Sequence, residues 1–554
     1  MRQSFIICLI VMCASSCTED QAVRADLVIQ NAVIWTGEND MPYAESIAVH
    51  ADTIIAVGSN ESTLIYQGAA TKVIDLEGRF IAPGFIDSHV HLMTGGRSLL
   101  SVDLRHADSP EAFSSLVKDF VQTIDEGEWI LEGNWDHTLW GGELPHKDWI
   151  DEVTGENPVL LMRLDWHMAL ANTAALRYAG IDESTPDVAG GTIERDASGQ
   201  LTGILKDNAM NLVMKKIPPM SKAYKDRSFQ AAMDYFVSQG VTSVHDVDGQ
   251  NKDVASLSTA QKFRKSGRLK VRIYSAGVLQ DWQEVSKLSH KNDDWVRTGS
   301  VKGFVDGSLG SHTAAFHNHY TDQDDDKGFF INQQEDLYKW IAAADSAGLH
   351  VLVHAIGDRA NHTLLNLYER VIAENGERDR RFRIEHAQHL DPEDISRFTT
   401  LDVIASMQPY HAIDDGRWAE SYIGAERIKT TYAFQSLLEA DASIAFGSDW
   451  AVAPASPLQG IYAAVTRRTL DGMHPNGWVP KEKITAEQAL IAYTKDAAYA
   501  SFEEDVKGTL VEGKLADFVV LDGHILSVDP NAIKDIKVLQ TYVAGEIVYD
   551  LSEK

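Results

Sequence analysis

Apolar positions along the chain follow two rhythms. Near the amino terminus, Asp26–Trp35, Ser46–Val57 and Lys72–Leu76 alternate apolar and polar residues between Gly, Asn and Asp, the period-two pattern of small antiparallel strands. A similar pair, Lys514–Asp522 and Val538–Tyr549, closes the chain and predicts one small β-sandwich built from both ends. Between these ends, short apolar runs alternate with helical periodicity. Strands are predicted at Phe80–Asp87, Val241–Asp246, Leu269–Ser275, Ser300–Asp306, His350–His354, Phe382–His386, Val403–Gln408 and Ser443–Asp449. Helical runs include Arg227–Gln239, Gln334–Ala347 and Asp358–Ala373, with Ser456–Arg468 and Thr485–Tyr499 beyond the last strand. Eight strands alternating with helices is the count of a (β/α)8 TIM-like barrel, of the α/β class. After the first strand the chain leaves on a long excursion, Gly95–Lys222, with its own strand-like Pro158–Leu164; it reads as an inserted subdomain forming a wall or lid. The divisions expected are sandwich at 17–80, first barrel strand at 81–94, insertion at 95–222, remaining barrel at 223–504 and sandwich again at 505–554.

The first residues have another character. Met1–Cys17 carries Arg2, an apolar run Phe5–Cys13 and small residues, too short to span a bilayer and patterned as an export signal over 1–16. Its ending, Ala14-Ser15-Ser16-Cys17, resembles the lipobox of bacterial lipoproteins, which makes Cys17 the expected lipidation site. The expected location is outside the cytoplasm, facing the periplasm or cell exterior, with the membrane touched only through the lipid anchor; plain cleavage near Ser16 and free secretion is the alternative. Composition narrows the function classes. With 50 Lys+Arg against 81 Asp+Glu the formal charge is −31, which opposes binding to nucleic acid or to anionic lipid. All three cysteines, Cys8, Cys13 and Cys17, lie in the first seventeen residues. The remaining chain has no disulfide framework, thiol nucleophile or cysteine metal site, so any metal chemistry uses His, Asp, Glu or Lys.

In an α/β barrel, reactive groups sit at the carboxyl ends of strands. The first predicted strand runs into Asp87-Ser88-His89-Val90-His91, where His89 and His91 point to one side and can share one metal. A second such pair, His317-Asn318-His319, does not end a strand. Lys302 sits within Ser300–Asp306, where burial demands a partner or a chemical change. His354, His386 and Asp449 end three further strands. Singly, each reads equally as a core histidine or a helix cap; five strands bearing ligand-type residues point to a shared site.

These stretches resemble the amidohydrolase superfamily (amidohydrolase family 3), in the branch around N-substituted formamide deformylase. The resemblance rests on Ile81-Ala-Pro-Gly-Phe-Ile-Asp-Ser-His-Val-His91, Lys302-Gly-Phe-Val-Asp-Gly-Ser-Leu-Gly-Ser311, Val353-His-Ala-Ile-Gly-Asp-Arg359, Arg383-Ile-Glu-His-Ala-Gln388, Ser406-Met-Gln-Pro409 and Gly447-Ser-Asp449. Gly508–Asp517, Gly133-Asn-Trp-Asp136 and Asp165-Trp-His167 extend it over essentially the whole chain after the leader. The resemblance implies two divalent ions, zinc being expected: one on His89, His91 and Asp449, the other on His354 and His386, bridged by Lys302 as a carboxylated lysine. It implies hydrolysis of a small-molecule amide at a non-peptide C–N bond, such as an N-substituted formamide, by a metal-activated hydroxide, with Asp449 shuttling the proton. His167, Asp306 and Gln408 are candidates for holding substrate, and Trp135, Trp140 and Trp149 either line an apolar pocket or simply pack. Two departures bear on the pocket: His312 stands where relatives often have Arg, and Asp165-Trp166 where they often have Asp-Gly. Ester or lactone hydrolysis on the same metals, a mononuclear site with Lys302 paired to Asp306, and a non-catalytic scaffold are the alternatives; a homodimer is compatible with the sequence without being specified by it.

Overall fold

The computed structural model describes residues 23–553 apart from 165, 167, 189–190, 249–254 and 289–291, so Cys17 and His167 lie outside the described residues. Eight parallel strands form one sheet: β1 (Phe85–Val90), β2 (Val241–Asp246), β3 (Arg272–Val278), β4 (Val296–Phe304), β5 (His350–Ala355), β6 (Arg383–His386), β7 (Ile404–Met407) and β8 (Ile444–Phe446). They neighbour one another in chain order. The sheet curls until its ends meet: just past β8, Trp450 bridges Val90, Asp449 N–H donates to His89 O at 2.8 Å and His91 N–H to Trp450 O at 2.6 Å. Gly447 permits that approach, since a Cβ there would lie 2.6 Å from His89 N.

Helices cover the outside. In Asp358–Asn375, Ala360, Leu364, Leu365, Tyr368 and Val371 recur at three- and four-residue spacing and are buried, and Gly376 (φ 80°) stops the helix. Lys222–Ser238 opens on Ser221, whose side chain accepts the Tyr224 N–H. Among the described residues no helix is long and apolar enough to cross a membrane.

The sandwich joins both chain ends, with more sheet-switching than alternation alone predicts. Asp26–Trp35 is two strands: at Asn31 (φ 53°) the chain turns, so Leu27–Gln30 enters a four-stranded sheet with Ser46–His50, Thr53–Gly58 and Lys72–Asp75, and Val33–Trp35 enters a six-stranded one. The latter contains Tyr43–Ala44, Phe80–Pro83, Phe518–Leu521, Val538–Val543 and Glu546–Asp550. Two pairings are parallel rather than antiparallel, Leu27–Gln30 with Lys72–Asp75 and Val33–Trp35 with Phe80–Pro83. Ile29, Ile47 and Val49 from one sheet and Ile34, Ile81, Phe518 and Tyr542 from the other share one core. The expected strand Phe80–Asp87 also divides. Its apolar run is continuous because both halves are buried, but at Gly84 it passes from the six-stranded sheet into β1, where a Cβ would fall 2.3 Å from the Thr242 side chain.

The excursion after β1 folds a five-stranded mixed sheet ordered Gly191–Arg195, Leu201–Asp207, Met168–Ala171, Val159–Arg163, Ile130–Trp135. Trp135 is fully buried there and donates its Nε1–H to Leu161 O at 2.7 Å, while Trp140 and Trp149 set their edges against Phe113. These tryptophans therefore supply the insertion's own core. It fastens to the barrel through Arg105, which donates to Ala451 O and Val452 O at 2.7 Å each.

Candidate metal centre and active site

Strand alternation sends Asp87 and His89 to one side of β1, into the barrel, and two carboxyl-end residues reach it through unusual backbone. His386 (φ 75°) and Asp449 (φ 58°) lie in the left-handed region, which costs a non-glycine residue about 1–3 kcal/mol and clusters at functional sites. At His386 this lets consecutive residues Glu385 and His386 both serve the centre.

The focus is Asp449. Its Oδ1 lies 3.4 Å from His89 Nε2 and 3.2 Å from His91 Nε2, and its Oδ2 lies 4.0 Å from both His386 Nδ1 and His411 Nε2. Lys302 Nζ donates to His89 Nε2 at 3.4 Å. The His386 ring sits 4.9 Å from that of His89 and 4.5 Å from that of His354, centroid to centroid, so both expected halves abut at Lys302. Two donors about 2.0–2.2 Å from a common tetrahedral ion stand about 3.3–3.6 Å apart, close to the distances of His89 Nε2 and of His91 Nε2 from Asp449 Oδ1. His89, His386 and Asp449 also form a compact buried donor group that can hold an ion.

A second layer orients each imidazole. His89 Nδ1–H donates to Glu385, which is itself gripped by Arg383 at 2.7 and 3.1 Å. Arg383 also donates to Ser88 O, His245 Nδ1 and Ser406 Oγ. His91 Nδ1 faces Asp248 at 3.6 Å, and Asp248 accepts from the backbone and hydroxyl of Thr94. His386 Nδ1 pairs with Gln408 Oε1 at 2.8 Å, and His354 Nε2 with Gly307 O at 3.1 Å. Such partners fix the tautomer and leave the other nitrogen for the centre.

The electrostatics suit a cation. Burial, reinforced by the Lys302 charge, pulls His89 down to about 4 and His354 to about 3, keeping both neutral with a lone pair available. Burial likewise drives His386 well below its ordinary value, with His354 adding to it. For His91 burial acts the same way, but hydrogen bonds to Asp248 and Asp449 overcome it and push the ring up to about 9. Burial lowers Lys302 to about 8 against the pull of Glu385 and Asp449, and raises Asp87 to about 7. Asp449 stays ionised well below the usual carboxylate range, since the surrounding histidines outweigh its desolvation.

Two of the expected substrate contacts have other employment. Asp306 is fully buried and spends both oxygens on the N–H groups of Ala315, Ile356 and Gly357, at 2.7–3.0 Å. It ties the loops after β4 and β5 together, and it is neither open to substrate nor hydrogen-bonded to Lys302. Gln408 is fully buried behind His386 and orients that ring. Trp166 reaches the centre from the insertion, its ring 6.3 Å from that of His91 and its Nε1–H on Asn134 Oδ1. Glu385 and Arg383 stand in the quoted Arg-Ile-Glu-His stretch, and their i, i+2 spacing was the available signal. Asp248 and His411 lie beyond strand ends, where alternation points nowhere in particular.

The sequence and the fold have counterparts among known proteins. The chain is 41% identical over 548 residues to Protein LONG AFTER FAR-RED 3 of Arabidopsis thaliana, covering 96% of this chain and 93% of that one. It is 26% identical to N-substituted formamide deformylase of Arthrobacter pascens, over 95% and 98% of the two chains. Among solved structures, an uncharacterized metal-dependent hydrolase of Pyrococcus horikoshii superposes with a TM-score of 0.77 at 26% identity, over 91% of this chain and 99% of that one. Residues 72–549, from the last strand of the four-stranded sheet to the end of the six-stranded one, match the amidohydrolase family profile, and the chain belongs to that family.

Proposed function

We propose that this hydrolase cleaves a non-peptide C–N bond in a small amide, an N-substituted formamide or a close relative. The observation that carries the reading is the convergence of His89 and His91 on one oxygen of Asp449 while its other oxygen lies 4.0 Å from both His386 Nδ1 and His411 Nε2. The relative named as a formamide deformylase supports the bond type. His89, His91 and Asp449 would hold one divalent ion, zinc by the character of the donors. His354 and His386 would hold a second, with Lys302 between them as a carbamate. Burial favours that modification: an amine brought down to about 8 has a neutral fraction at physiological pH, able to form an N–C bond to CO2 with loss of a proton to solvent.

Bound ions supply Lewis acidity, polarising the substrate carbonyl and acidifying water. The chain's own groups do the rest. Asp449 takes the proton of the attacking water as the new C–O bond forms. It returns the proton to the amide nitrogen as the C–N bond breaks, releasing an amine and a carboxylic acid. Trp166 offers an apolar face beside His91, suited to an aryl substituent on the nitrogen.

The test pairs metal analysis with two substrates. Full-length chain supplied with zinc and bicarbonate should hold about two ions, falling to one or none in Lys302→Ala, and should release aniline from formanilide. Hydrolysis of phenyl formate but not formanilide would move the assignment to esters. Two ions per chain in Lys302→Ala would remove the carbamate.

A further inference from the structure

The ring nitrogens of the site are unevenly provided for. Each of the four expected histidine ligands has a protein partner on the nitrogen that sets its tautomer: Glu385, Asp248, Gly307 or Gln408. His411, in the short helix Pro409–Asp415 that follows β7, has its Nε2 buried without a hydrogen-bond partner among the described residues. That atom lies 4.0 Å from Asp449 Oδ2, the oxygen turned away from His89 and His91. Buried polar atoms in native proteins are satisfied in the great majority, so an orphan aimed into a site calls for a partner that arrives from outside.

The spacing says what that partner looks like. At 4.0 Å the two atoms do not hydrogen-bond each other. In an amide, oxygen and nitrogen attached to the same carbon are about 2.3 Å apart, from ordinary bond lengths. Laid alongside the His411–Asp449 pair, such a group can bring its oxygen to hydrogen-bond distance of Nε2 and its nitrogen to hydrogen-bond distance of Oδ2. We propose that His411 is a substrate-contacting catalytic residue that donates its Nε2–H to the carbonyl oxygen of the scissile group, and that this contact turns the leaving nitrogen toward Asp449. The donor matters most as negative charge develops on that oxygen, so its loss falls on turnover more than on binding. This assignment rests on the hydrolase reading above, and it adds the orientation in which substrate is presented.

The experiment compares full-length wild type, His411→Ala and His411→Gln, each supplied with zinc and bicarbonate. Three quantities are measured: metal per chain, kcat and KM for formanilide, and the Kd of formate by calorimetry. Formate serves as a probe carrying the oxygen without the amine. Metal content should match wild type in both variants. In His411→Ala, kcat should fall about 100-fold or more while KM stays within about threefold, and formate should bind about tenfold more weakly. His411→Gln, whose amide reaches as far as Nε2, should recover at least about tenfold of the lost kcat. Wild-type kcat and formate affinity in His411→Ala would overturn the proposal, as would loss of metal, which would make His411 a ligand. If wild type turns over neither formanilide nor phenyl formate, the hydrolase reading fails, and the formate arm still decides whether His411 contacts an oxygen.

Discussion

Replacing Glu385 by Gln removes the negative charge facing Arg383 inside the barrel while keeping the shape of the side chain. Both residues are fully buried, so neither water nor salt can compensate, and the guanidinium keeps only neutral acceptors: the new amide oxygen, Ser88 O, His245 Nδ1 and Ser406 Oγ. Breaking a buried pair from one side costs about 3–5 kcal/mol, a large part of the roughly 5–15 kcal/mol that holds an ordinary domain folded. The same substitution weakens the acceptor that fixes the His89 tautomer, an effect worth about 10–100-fold in metal affinity. The two losses separate in the double variant Arg383→Met/Glu385→Leu. With both charges gone the desolvation cost goes too, so much of the stability should return, though not all, because Ser88 O and His245 lose a donor. Metal affinity should not return, because His89 Nδ1–H then lacks its acceptor. Urea unfolding followed by tryptophan fluorescence reads the first quantity, and zinc titration against a competing chelator reads the second. Glu385→Gln within about 1 kcal/mol of wild type, or wild-type zinc affinity in the double variant, would refute the account.

Other consequences are accessible to simpler measurements. Gln408→Leu should lower zinc affinity about 10–100-fold with little change in the melting temperature, since it removes the partner of His386 Nδ1; equal affinity would show that the ring is held by other means. Gly84→Ala should destabilise the fold, and Thr242→Gly should restore most of the loss, because the added methyl meets that side chain; a melting-temperature cycle checks the coupling. Burial lifts the Asp496 carboxyl from 3.8 to about 7. The folded state therefore binds the proton more tightly than the unfolded chain, and the stabilisation is full below pH 3.8 and lost as pH rises through about 7. Asp496→Asn should flatten the fall in urea midpoint between pH 4 and 8, and an unchanged slope would assign the titration elsewhere.

Much of the barrel was legible because its strands are buried on both faces and its ligand-type residues stop them. His354, His386 and Asp449 announce strand ends by interrupting apolar runs, and chain order supplies the rest of the topology. What stayed hidden depends on neighbours distant in the chain. Phe80–Ile86 is one apolar run whether or not it changes sheets, and only the crowding by Thr242 at Gly84 reveals the break. Asp306 carries the residue type of a substrate contact, but the three N–H groups that occupy it come from loops after two different strands. His411 follows a helix-starting proline, where no period specifies which way a side chain faces.

The place where the barrel closes is also where its donors meet. His89 and His91 come from the first strand and the turn after it, and Asp449 comes from just past the last; the backbone contacts that seal the sheet run between the same residues. A ribosome delivers these two edges some 360 residues apart, at about 5–20 residues per second, so the earlier edge waits tens of seconds for its complement. Until then the donors contributed by the two edges stay apart, and a chain cut short anywhere before Asp449 lacks one of them. An ion seated between the edges would act as a clasp on the seam, coupling the competence of the enzyme to the completion of its own assembly.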